Sequence, residues 1–502
     1  MEILQNLQFG LMTAMSWENL LYCLAGVTVG MVVGVLPGIG HLAAISLLMP
    51  LTFHVPATAS LIMLAGIYYG AQYGGSIASI LLNVPGTASS AVVCLDGYPL
   101  AQRGRAGAAL MITTAASFVG SCLSIAVLVF LAPPLAQMAL SFHSADYFSM
   151  MVLGLVAAGS ISQGKPLLGL ASVLLGLIMG LVGIDLNTGI LRLTFGIPEL
   201  FDGISIVIVA MALFGVVEVI SSVGRIPGSA SRKSRITWRS LLPTRAEWRD
   251  SVMPMLRGSL VGLGIGVLPG TGGGSMSSFM AYAVEKRVSS KPETFGQGNI
   301  AGISAPEAAN NAAAQSAFIP TLTLGIPGDA IMALMLGALM IHGIAPGPRV
   351  VTENPELFWG LVMSFVLGNF LLLILNVPLI QVWVRILEIP YRILFPSIIL
   401  LICTGVYSLN RSTVDVILVA GLSVTGILLI RLGFEAAPLL LGFILGPMLE
   451  ENLRRSLMLS RGNFMIFLER PVSAIFLGLS ALLLIWVIWG MVKPRPNTTQ
   501  IE

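Results

Sequence analysis

The chain has 502 residues, of which 56% are hydrophobic and only 10% are charged, with a net charge of +3 at pH 7 and a mean hydropathy of +0.92. Soluble globular proteins carry about 25% charged residues, so this composition excludes a soluble enzyme. The nearly balanced charge gives no indication of a nucleic-acid partner. We expect instead an all-α polytopic membrane protein surrounded by the lipid bilayer.

Apolar runs long enough to cross a bilayer recur along the whole chain. The clearest are residues 108–131, 166–182, 357–374, 414–430 and 474–492. A membrane helix needs about 20 such residues, and with the weaker runs included we expect about 10–14 membrane segments.

Basic residues are distributed unevenly along the chain. None precedes Arg103, whereas residues 225–257 contain eight Arg and Lys. By the positive-inside rule, this central segment is predicted to be cytoplasmic and the N-terminal region to lie outside. The first 20 residues lack the basic stretch of a cleavable signal peptide, so none is expected.

Three motifs recur in the same order in the two halves of the chain. Gly-Val-Leu-Pro-Gly occurs at 34–38 and at 266–270, Asn-Val-Pro-Gly-Thr at 83–87 is echoed by Gly-Ile-Pro-Gly-Asp at 325–329, and Asp96-Gly97 is echoed by His342-Gly343. The offsets grow slowly, from 232 to 242 to 246 residues, which indicates a duplication followed by small insertions. The alternative is chance similarity between membrane helices rich in small residues, which the shared order and spacing disfavour.

The predicted organisation follows from these motifs. It comprises a first transmembrane repeat (1–223), a basic cytoplasmic linker (224–256), the core of a second repeat (257–376), further transmembrane helices (377–492) and a polar C-terminal tail (493–502). Transporters are often built from repeats that are inverted across the membrane, with the substrate bound where the repeats meet. An odd number of helices before the linker would satisfy both charge expectations, which favours inversion.

Both copies of Gly-Val-Leu-Pro-Gly interrupt an apolar segment. Proline removes a helical hydrogen bond and glycine frees the backbone, so we expect broken helices or re-entrant hairpins near 33–46 and 265–278. Helix N-termini at such breaks expose N–H groups that suit a carboxylate, and the carbonyl ends suit a cation. The alternative is that the glycines only permit kinks or close packing.

Two polar stripes with helical spacing accompany the breaks. One comprises Gln72, Ser76, Ser79 and Asn83, and the other comprises Glu307, Asn311 and Gln315, with Asn310 alongside. Residues spaced in this way share one helix face. In membrane helices such a face usually points to the bundle interior or a water-filled path, although hydrogen bonding between helices is an equal alternative.

Two acidic residues each have two interpretations. Ser304-Ala-Pro-Glu307 has the form of a capping box, and Asp329 follows Pro-Gly as an N-cap would, so either carboxylate could merely cap a helix. An ionised group at mid-bilayer costs about 2.5–3.5 kcal/mol, which argues instead for binding of a cation or a proton.

Signatures of enzymes and metalloproteins are missing from the sequence. The four Cys and four His have no metal-ligand spacing, so no transition-metal site is expected. The glycine run at 270–274 lacks the Lys of a phosphate loop, and we find no nucleophile with a base for a hydrolase. We therefore predict that the chain is not an enzyme.

The motifs resemble those of a known family. The segments 34–40, 69–76, 83–87, 266–274 and 307–311 are similar to the large (TctA-type) permease subunit of the tripartite tricarboxylate transporters, and the resemblance spans essentially the whole chain. It implies a multi-pass protein of the bacterial inner membrane that imports citrate-like di- or tricarboxylates, or other small organic acids, by cation symport. The implied partners are a periplasmic substrate-binding protein and a small membrane subunit of the same transporter. Similarity to other binding-protein-dependent transporters implies an elevator motion.

The motifs together predict one site for the substrate and its coupling ions. The predicted substrate-binding residues are Gly38, Gly40, Ser76, Asn83, Gly86, Thr87, Gly270, Thr271, Gly272, Gly273, Asn310, Asn311 and Gly328. The predicted coupling-ion residues are Pro37, Gln72, Glu307, Gln315 and Asp329. No cofactor is expected, and the sequence leaves Na⁺ and H⁺ open as the coupling ion. A passive organic-anion or ion channel and a non-transport membrane scaffold stay as rival classes.

Overall fold

The computed structural model describes residues 2–36, 38–160, 165–185, 187–222, 238–268, 270, 273–387 and 391–492. Within them the chain folds into 23 α-helices, a few 3-10 and π-helical turns and one two-stranded sheet. The predicted all-α class is confirmed.

The elements up to the central linker are these, in chain order. They are α1 (Glu2–Ala14), α2 (Trp17–Val35), α3 (Gly40–Thr52), α4 (Ala57–Leu82), a 3-10 turn (Ala88–Val93), α5 (Cys94–Leu100), a π-helical turn (Ala101–Arg105), α6 (Ala106–Ala139), α7 (Ser144–Ser160), α8 (Pro166–Gly180), β1 (Gly183–Ile184), β2 (Leu191–Arg192), a 3-10 turn (Pro198–Leu200), α9 (Ile206–Ala210), a π-helical turn (Met211–Val216) and α10 (Val217–Ser222).

The second half continues in the same helical manner. Its elements are a 3-10 turn (Trp238–Leu241), α11 (Arg245–Gly266), α12 (Gly274–Val288), a 3-10 turn (Pro292–Thr294), α13 (Ala301–Ser316), α14 (Phe318–Leu324), α15 (Ala330–Ile341), α16 (Arg349–Glu353), α17 (Pro355–Asn376), α18 (Ile380–Ile386), α19 (Tyr391–Asn410), α20 (Thr413–Arg431), α21 (Ala436–Leu459), α22 (Ile466–Glu469) and α23 (Pro471–Val492).

In the described part of the chain, six helical segments are long and apolar enough to cross a bilayer. They are Trp17–Val35, Ala88–Ala139, Pro355–Asn376, Ile393–Asn410, Thr413–Arg431 and Pro471–Trp489. Four apolar helical segments are shorter, namely Gly40–Thr52, Pro166–Gly180, Ile206–Ser222 and Ala330–Ile341. The predicted apolar runs lie in these helices, with their ends shifted by one or two residues in places. The predicted total of 10–14 membrane segments stays a prediction.

The helices form two compact units that are discontinuous in sequence. The first contains Met1–Leu140 and Ile204–Arg431, and the second contains Ser141–Gly203 and Leu432–Glu502. In the second unit, α7 and α8 pack against each other and against α21, and the segment boundaries expected from the motifs stay a prediction.

The helix α11 begins inside the segment predicted to be a linker. Thr244 and Glu247 form a capping box, in which the Glu247 amide donates to Thr244 Oγ1 at 3.2 Å and the Thr244 amide donates to Glu247 Oε2 at 2.6 Å. Such reciprocal bonds satisfy N–H groups that a helix start leaves free, which places the start at Arg245. Residues 223–237 of the predicted linker lie outside the described residues.

Ion pairs connect helix ends within the second unit. Arg470, directly before α23, pairs with the buried Asp146 in the first turn of α7 at 2.8 Å. Asp185, between β1 and β2, accepts a hydrogen bond from Thr188 Oγ1 at 2.7 Å and pairs with Arg454 of α21 at 3.0 Å. The Thr188 hydrogen bond is the largest of several contacts that lower the pKa of Asp185 to about 2.

Two helix pairs of the first unit make matching glycine contacts. α2 packs against α4, and α11 packs against α13. Glycines at every fourth position meet partner carbonyls: Gly26, Gly30 and Gly34 meet those of Met63, Ile67 and Ala71, and Gly258, Gly262 and Gly266 meet those of Ala305, Ala309 and Ala313. A Cβ at any of these glycines would lie only 2.1–2.5 Å from the carbonyl oxygen. The paired glycines are 232 residues apart and the paired carbonyls 242, which are the offsets of the sequence motifs.

Inside the first unit, helices of one half of the sequence pack against helices of the other half. α13 packs against α6, and α4 packs against α17, so the polar helix of each half contacts the long helix of the other half. In the same way α12 packs against the 3-10 turn Ala88–Val93, and α3 packs against α15. This packing between the halves brings their helix breaks together.

Candidate functional site

The first pair of breaks separates α2 from α3 and α11 from α12. Positive φ angles occur at four break glycines, Gly38 (88°), Gly40 (66°), Gly270 (76°) and Gly273 (28°). Residues with a Cβ are strained at such angles, so glycine lets the chain turn and start the next helix. The expected interruption of both segments is therefore observed.

The second pair of breaks follows α4 and α14. Asn83 (φ 58°) and Gly325 (φ 71°) end these helices in the left-handed conformation. Gly adopts this conformation most easily, and Asn tolerates it better than most other residues. Asp329 then caps α15, because its Oδ1 accepts a hydrogen bond from the Met332 amide at 2.8 Å. The capping interpretation of Asp329 is thus correct.

A cluster of four buried residues joins the two halves, and we call it the break cluster: Gln72, Ser89, Gly274 and Asn310. Gln72 Oε1 accepts hydrogen bonds from Ser89 Oγ at 2.9 Å and from Asn310 Nδ2 at 3.1 Å. A Cβ at Gly274 would lie 2.7 Å from Asn310 Oδ1, so glycine lets the first turn of α12 approach this amide. Asn310 Oδ1 has no hydrogen-bond partner. The cluster thus presents amides, a hydroxyl and a helix N-terminus at one point.

Asp329 lies close to this cluster. Tyr68, one turn before Gln72 on α4, donates to Asp329 Oδ2 at 3.4 Å. A Cβ at Gly273 would lie 3.6 Å from the same oxygen. The ring of His41, from the first turn of α3, packs against Tyr68 with 5.8 Å between centroids. The break before α3 and the break before α12 therefore both lie close to the break before α15.

A separate polar group lies between α13 and α6, and we call it the α13 cluster: Ser117, Glu307 and Asn311. Ser117 Oγ donates to Glu307 Oε1 at 2.9 Å. Asn311 Nδ2 donates to Ser117 Oγ at 2.9 Å and to Glu307 Oε1 at 3.2 Å. Because α13 begins at Ala301, Glu307 lies inside the helix, and the capping-box interpretation of residues 304–307 is wrong.

Neither cluster contains a basic side chain. No Lys or Arg is among the buried residues that the structure describes, although the carboxyl groups of Glu307 and Asp329 are buried. An anion in this interior would meet amides, hydroxyls and backbone N–H groups instead. In the described part of the chain, no group of three His, Cys, Asp or Glu side chains is arranged to hold a metal ion.

Comparison with known proteins assigns the family. The model of the family described as "Tripartite tricarboxylate transporter TctA family" matches residues 20–441. The chain belongs to this family. It is therefore a subunit of a multi-pass membrane transporter that works with partner subunits, as the motif resemblance implied.

Two relatives of this TctA-family chain come from Agrobacterium vitis. "Uncharacterized 52.8 kDa protein in TAR-I ttuC' 3'region" is 45% identical over 502 residues, which is 100% of this chain and 99% of the relative. "Uncharacterized protein in TAR-II ttuC' 3'region" is 49% identical over 238 residues, which is 47% of this chain and 98% of the relative. In a search of the solved structures, none matches significantly.

Part of the predicted site of this TctA-family chain comes together in the structure. Gln72 and Asn310 belong to the break cluster, and Gly273 and Asp329 lie close to it. Thr87 also lies there, because its Oγ1 is 3.0 Å from Ser89 Oγ. Residues predicted separately as substrate-binding and ion-binding thus share one place.

Other predicted residues lie elsewhere in the first unit. Glu307 and Asn311 form the α13 cluster, and Gln315 lies one turn further along α13. Ser76 Oγ donates to the carbonyl of Tyr73 in its own helix at 2.9 Å.

The remaining predicted residues have positions in or around the breaks. Asn83 is exposed at the end of α4. The Gly38 carbonyl accepts a hydrogen bond from Ser222 Oγ at 2.9 Å, whereas a Cβ at Gly40 would meet no atom within 4 Å. Gly86 and Gly328 lie against the carbonyls of Gly34 and Gly266, so they pack the two breaks of each half together. Gly270 is buried, and Pro37, Thr271 and Gly272 lie outside the described residues.

Three residues of these arrangements were not predicted. They are Tyr68, Ser89 and Ser117. Tyr68 lies one turn before Gln72, so helical spacing carried a signal for it. Ser117 lies within an apolar run without a motif, and only the packing of α6 on α13 reveals it.

Proposed function

We propose that the chain is the permease subunit of a binding-protein-dependent secondary transporter that imports di- or tricarboxylates, citrate-like or other small organic acids, by cation symport. The observation that carries this proposal is the break cluster. There the N-terminus of α12 meets two buried amides, Gln72 and Asn310, from opposite halves of the chain. Backbone N–H groups at a helix start and side-chain amides suit a carboxylate.

The charges around the cluster support symport with a cation. A buried carboxylate is costly unless an opposite charge or several donors compensate it. No buried Lys or Arg exists in the described residues to provide that charge, and Asp329 adds a further carboxyl group nearby. In symport, a co-transported cation offsets the negative charge of the substrate. A passive anion channel has no such cation and would need fixed basic groups to offset that charge.

The wider arrangement follows from the family and from the duplication. The matched glycine contacts of α2 with α4 and of α11 with α13 support two equivalent halves, and we propose that these are inverted across the membrane. The proposed location is the bacterial inner membrane. The proposed partners are a periplasmic binding protein and a small membrane subunit, and the proposed transport step is an elevator-type motion of the break region.

The variant Asn310→Ala tests the break cluster as the substrate site. Uptake of labelled citrate and other di- and tricarboxylates is measured with the complete transporter in cells that lack other carriers. We expect the KM for the transported acid to rise about 10- to 100-fold, because a hydrogen bond to a charged group contributes about 1.5–3 kcal/mol.

Asn376→Ala is the matched control for this experiment. Asn376 is also buried, its Nδ2 donates to Thr114 Oγ1 at 2.7 Å, and its Oδ1 has no partner, but it lies at the end of α17 outside the break cluster. Its KM should match the wild type once expression is equalised. Equal KM values for Asn310→Ala and the control would refute the proposed site.

A further inference from the structure

We propose that the α13 cluster is a Na⁺ site distinct from the break cluster, and that α13 couples the two through its neighbouring residues Asn310 and Asn311. This inference rests on the proposed function, because it names the coupling ion and where it binds. It separates the predicted ion ligands, since Glu307 belongs to this site whereas Gln72 belongs to the break cluster.

The hydrogen bonds of the α13 cluster leave only acceptors free. The Ser117 hydroxyl donates to Glu307 Oε1, and the Asn311 amide nitrogen donates to Ser117 Oγ, Glu307 Oε1 and the Glu307 carbonyl. Glu307 Oε2 and Asn311 Oδ1 are buried without any partner. An unpartnered acceptor needs a donor or a cation, and the donors of this cluster are already used.

The buried charge also points to a cation. The Glu307 side chain is 0% exposed, and the described residues contain no buried Lys or Arg to pair with it. A carboxyl group in this environment requires a counter-charge or a proton, and a bound cation would also satisfy the free oxygen of Asn311. Glu307 Oε2 and Asn311 Oδ1 are free, and Ser117 Oγ beside them keeps the lone pair that Asn311 Nδ2 does not use. These are hard oxygen ligands of the kind that an alkali cation accepts.

The oxygen-rich surface extends one turn further between the same two helices. Gln315 Oε1 on α13 and Ser121 Oγ on α6 are also buried without a partner. They follow Asn311 and Ser117 by one helical turn each, so they lie along the same contact between α6 and α13. Additional ligands for a dehydrated cation are therefore available.

The geometry of α13 connects this site to the break cluster. Asn310 Nδ2 donates to Gln72 in the break cluster, and the adjacent Asn311 donates to Glu307 and Ser117 in the α13 cluster. Both residues belong to one rigid helix turn. Na⁺ that fixes Asn311 thereby also fixes Asn310, which gives positive coupling between the ion and the acid without direct contact between them.

The variant Ser117→Ala tests the site and leaves Glu307 and Asn311 in place. Uptake by the complete transporter is measured in proteoliposomes against Na⁺ concentration at constant pH. We expect the Na⁺ concentration for half-maximal uptake to rise about 3- to 10-fold, as for the loss of one hydrogen bond or ligand, with the maximal rate at saturating Na⁺ retained.

Ser124→Ala is the matched control. Ser124 is also buried on α6 and faces α13, but its hydroxyl donates to the Ala312 carbonyl at 2.8 Å rather than to Glu307. Its Na⁺ dependence should equal that of the wild type. A second measurement, binding of ²²Na⁺ to the purified complex, should be abolished by Glu307→Gln in a preparation that elutes as the wild type does.

The outcomes separate this inference from the proposed function. If Ser117→Ala and Glu307→Gln leave Na⁺ dependence and ²²Na⁺ binding unchanged while uptake proceeds, the Na⁺ site is refuted and the transport function stands. Uptake driven by a pH gradient without Na⁺ would also refute the Na⁺ site. If the wild-type complex moves no carboxylate, the proposed function itself is wrong.

Discussion

Asp96 is a buried carboxyl group whose hydrogen bonds connect two segments of the chain. Its Oδ1 accepts hydrogen bonds from the amides of Gly296, Gly298 and Asn299 at 2.9, 2.8 and 2.7 Å, and Tyr282 Oη donates to its Oδ2 at 3.0 Å. Four donors satisfy both carboxyl oxygens of this buried side chain without a basic partner. Asp96 thus holds the loop before α13 against α5.

We expect Asp96→Asn to lower the free energy of unfolding by about 1.5–3 kcal/mol, because a neutral amide oxygen is a weaker acceptor than a carboxylate for the three backbone N–H groups, and an NH2 group replaces the oxygen that accepts from Tyr282 Oη. Thermal unfolding of the purified protein in detergent measures this change. Asp250→Asn, at an exposed position on α11, should leave the Tm unchanged. A Tm for Asp96→Asn equal to that of this control would contradict the structural role.

Residue-level prediction from sequence succeeded where the chemistry is local. The cap at Asp329 follows from its position after Pro-Gly, and the structure confirms it. For Glu307 the same reasoning failed, because Pro306 lies inside α13 and a proline there has the same sequence signature as one in the first turn. The opposite orientations of Asn310 and Asn311 depend on which helices pack against α13, which no local pattern specifies.

The close packing of α11 on α13 depends on glycine at the contact positions. A Cβ at Gly262 would lie 2.1 Å from the Ala309 carbonyl oxygen, and backbone atoms cannot move aside as a flexible side chain can. Gly262→Ala is therefore expected to cost about 1–3 kcal/mol by overpacking, despite the better helix propensity of Ala.

Gly264 in the same helix is the matched control, because no atom lies within 4 Å of the position of its added Cβ. Gly264→Ala should keep or raise the Tm and the yield of folded protein in the membrane fraction. Fluorescence-detected size-exclusion chromatography compares the two variants. Similar losses for both would contradict the close approach of α11 and α13.

Elements were predictable to the extent that hydrophobic runs and Pro-Gly breaks define them. The predicted apolar runs and both Gly-Val-Leu-Pro-Gly interruptions appear as helices and breaks. α11 starts inside the predicted linker, because Thr244 and Glu247 form a capping box there, a local signal that the high density of basic residues does not carry. The packing of helices from one half against helices of the other was also not predictable, since apolar periodicity does not specify which helices pack together.

At the level of the whole molecule, the sequence predicted a multi-pass membrane transporter, and the TctA family match agrees with it. The two compact units could not be predicted, because residues 141–203 and 432–502 share no motif that would mark them as neighbours. The break cluster and the α13 cluster both lie in the first unit, which contains both copies of the duplicated motifs. The proposed transport chemistry is therefore assigned to that unit.

Transport by the complete complex tests the central claim most directly. The chain, its small membrane subunit and its binding protein are reconstituted in proteoliposomes, and accumulation of labelled citrate and related acids is followed under an inward Na⁺ gradient and, separately, an inward H⁺ gradient. We predict accumulation above the external concentration that requires the binding protein and collapses when the Na⁺ gradient is dissipated. Flux that only equilibrates the acid and ignores both ion gradients, or no flux of any carboxylate, would contradict the assignment of cation symport.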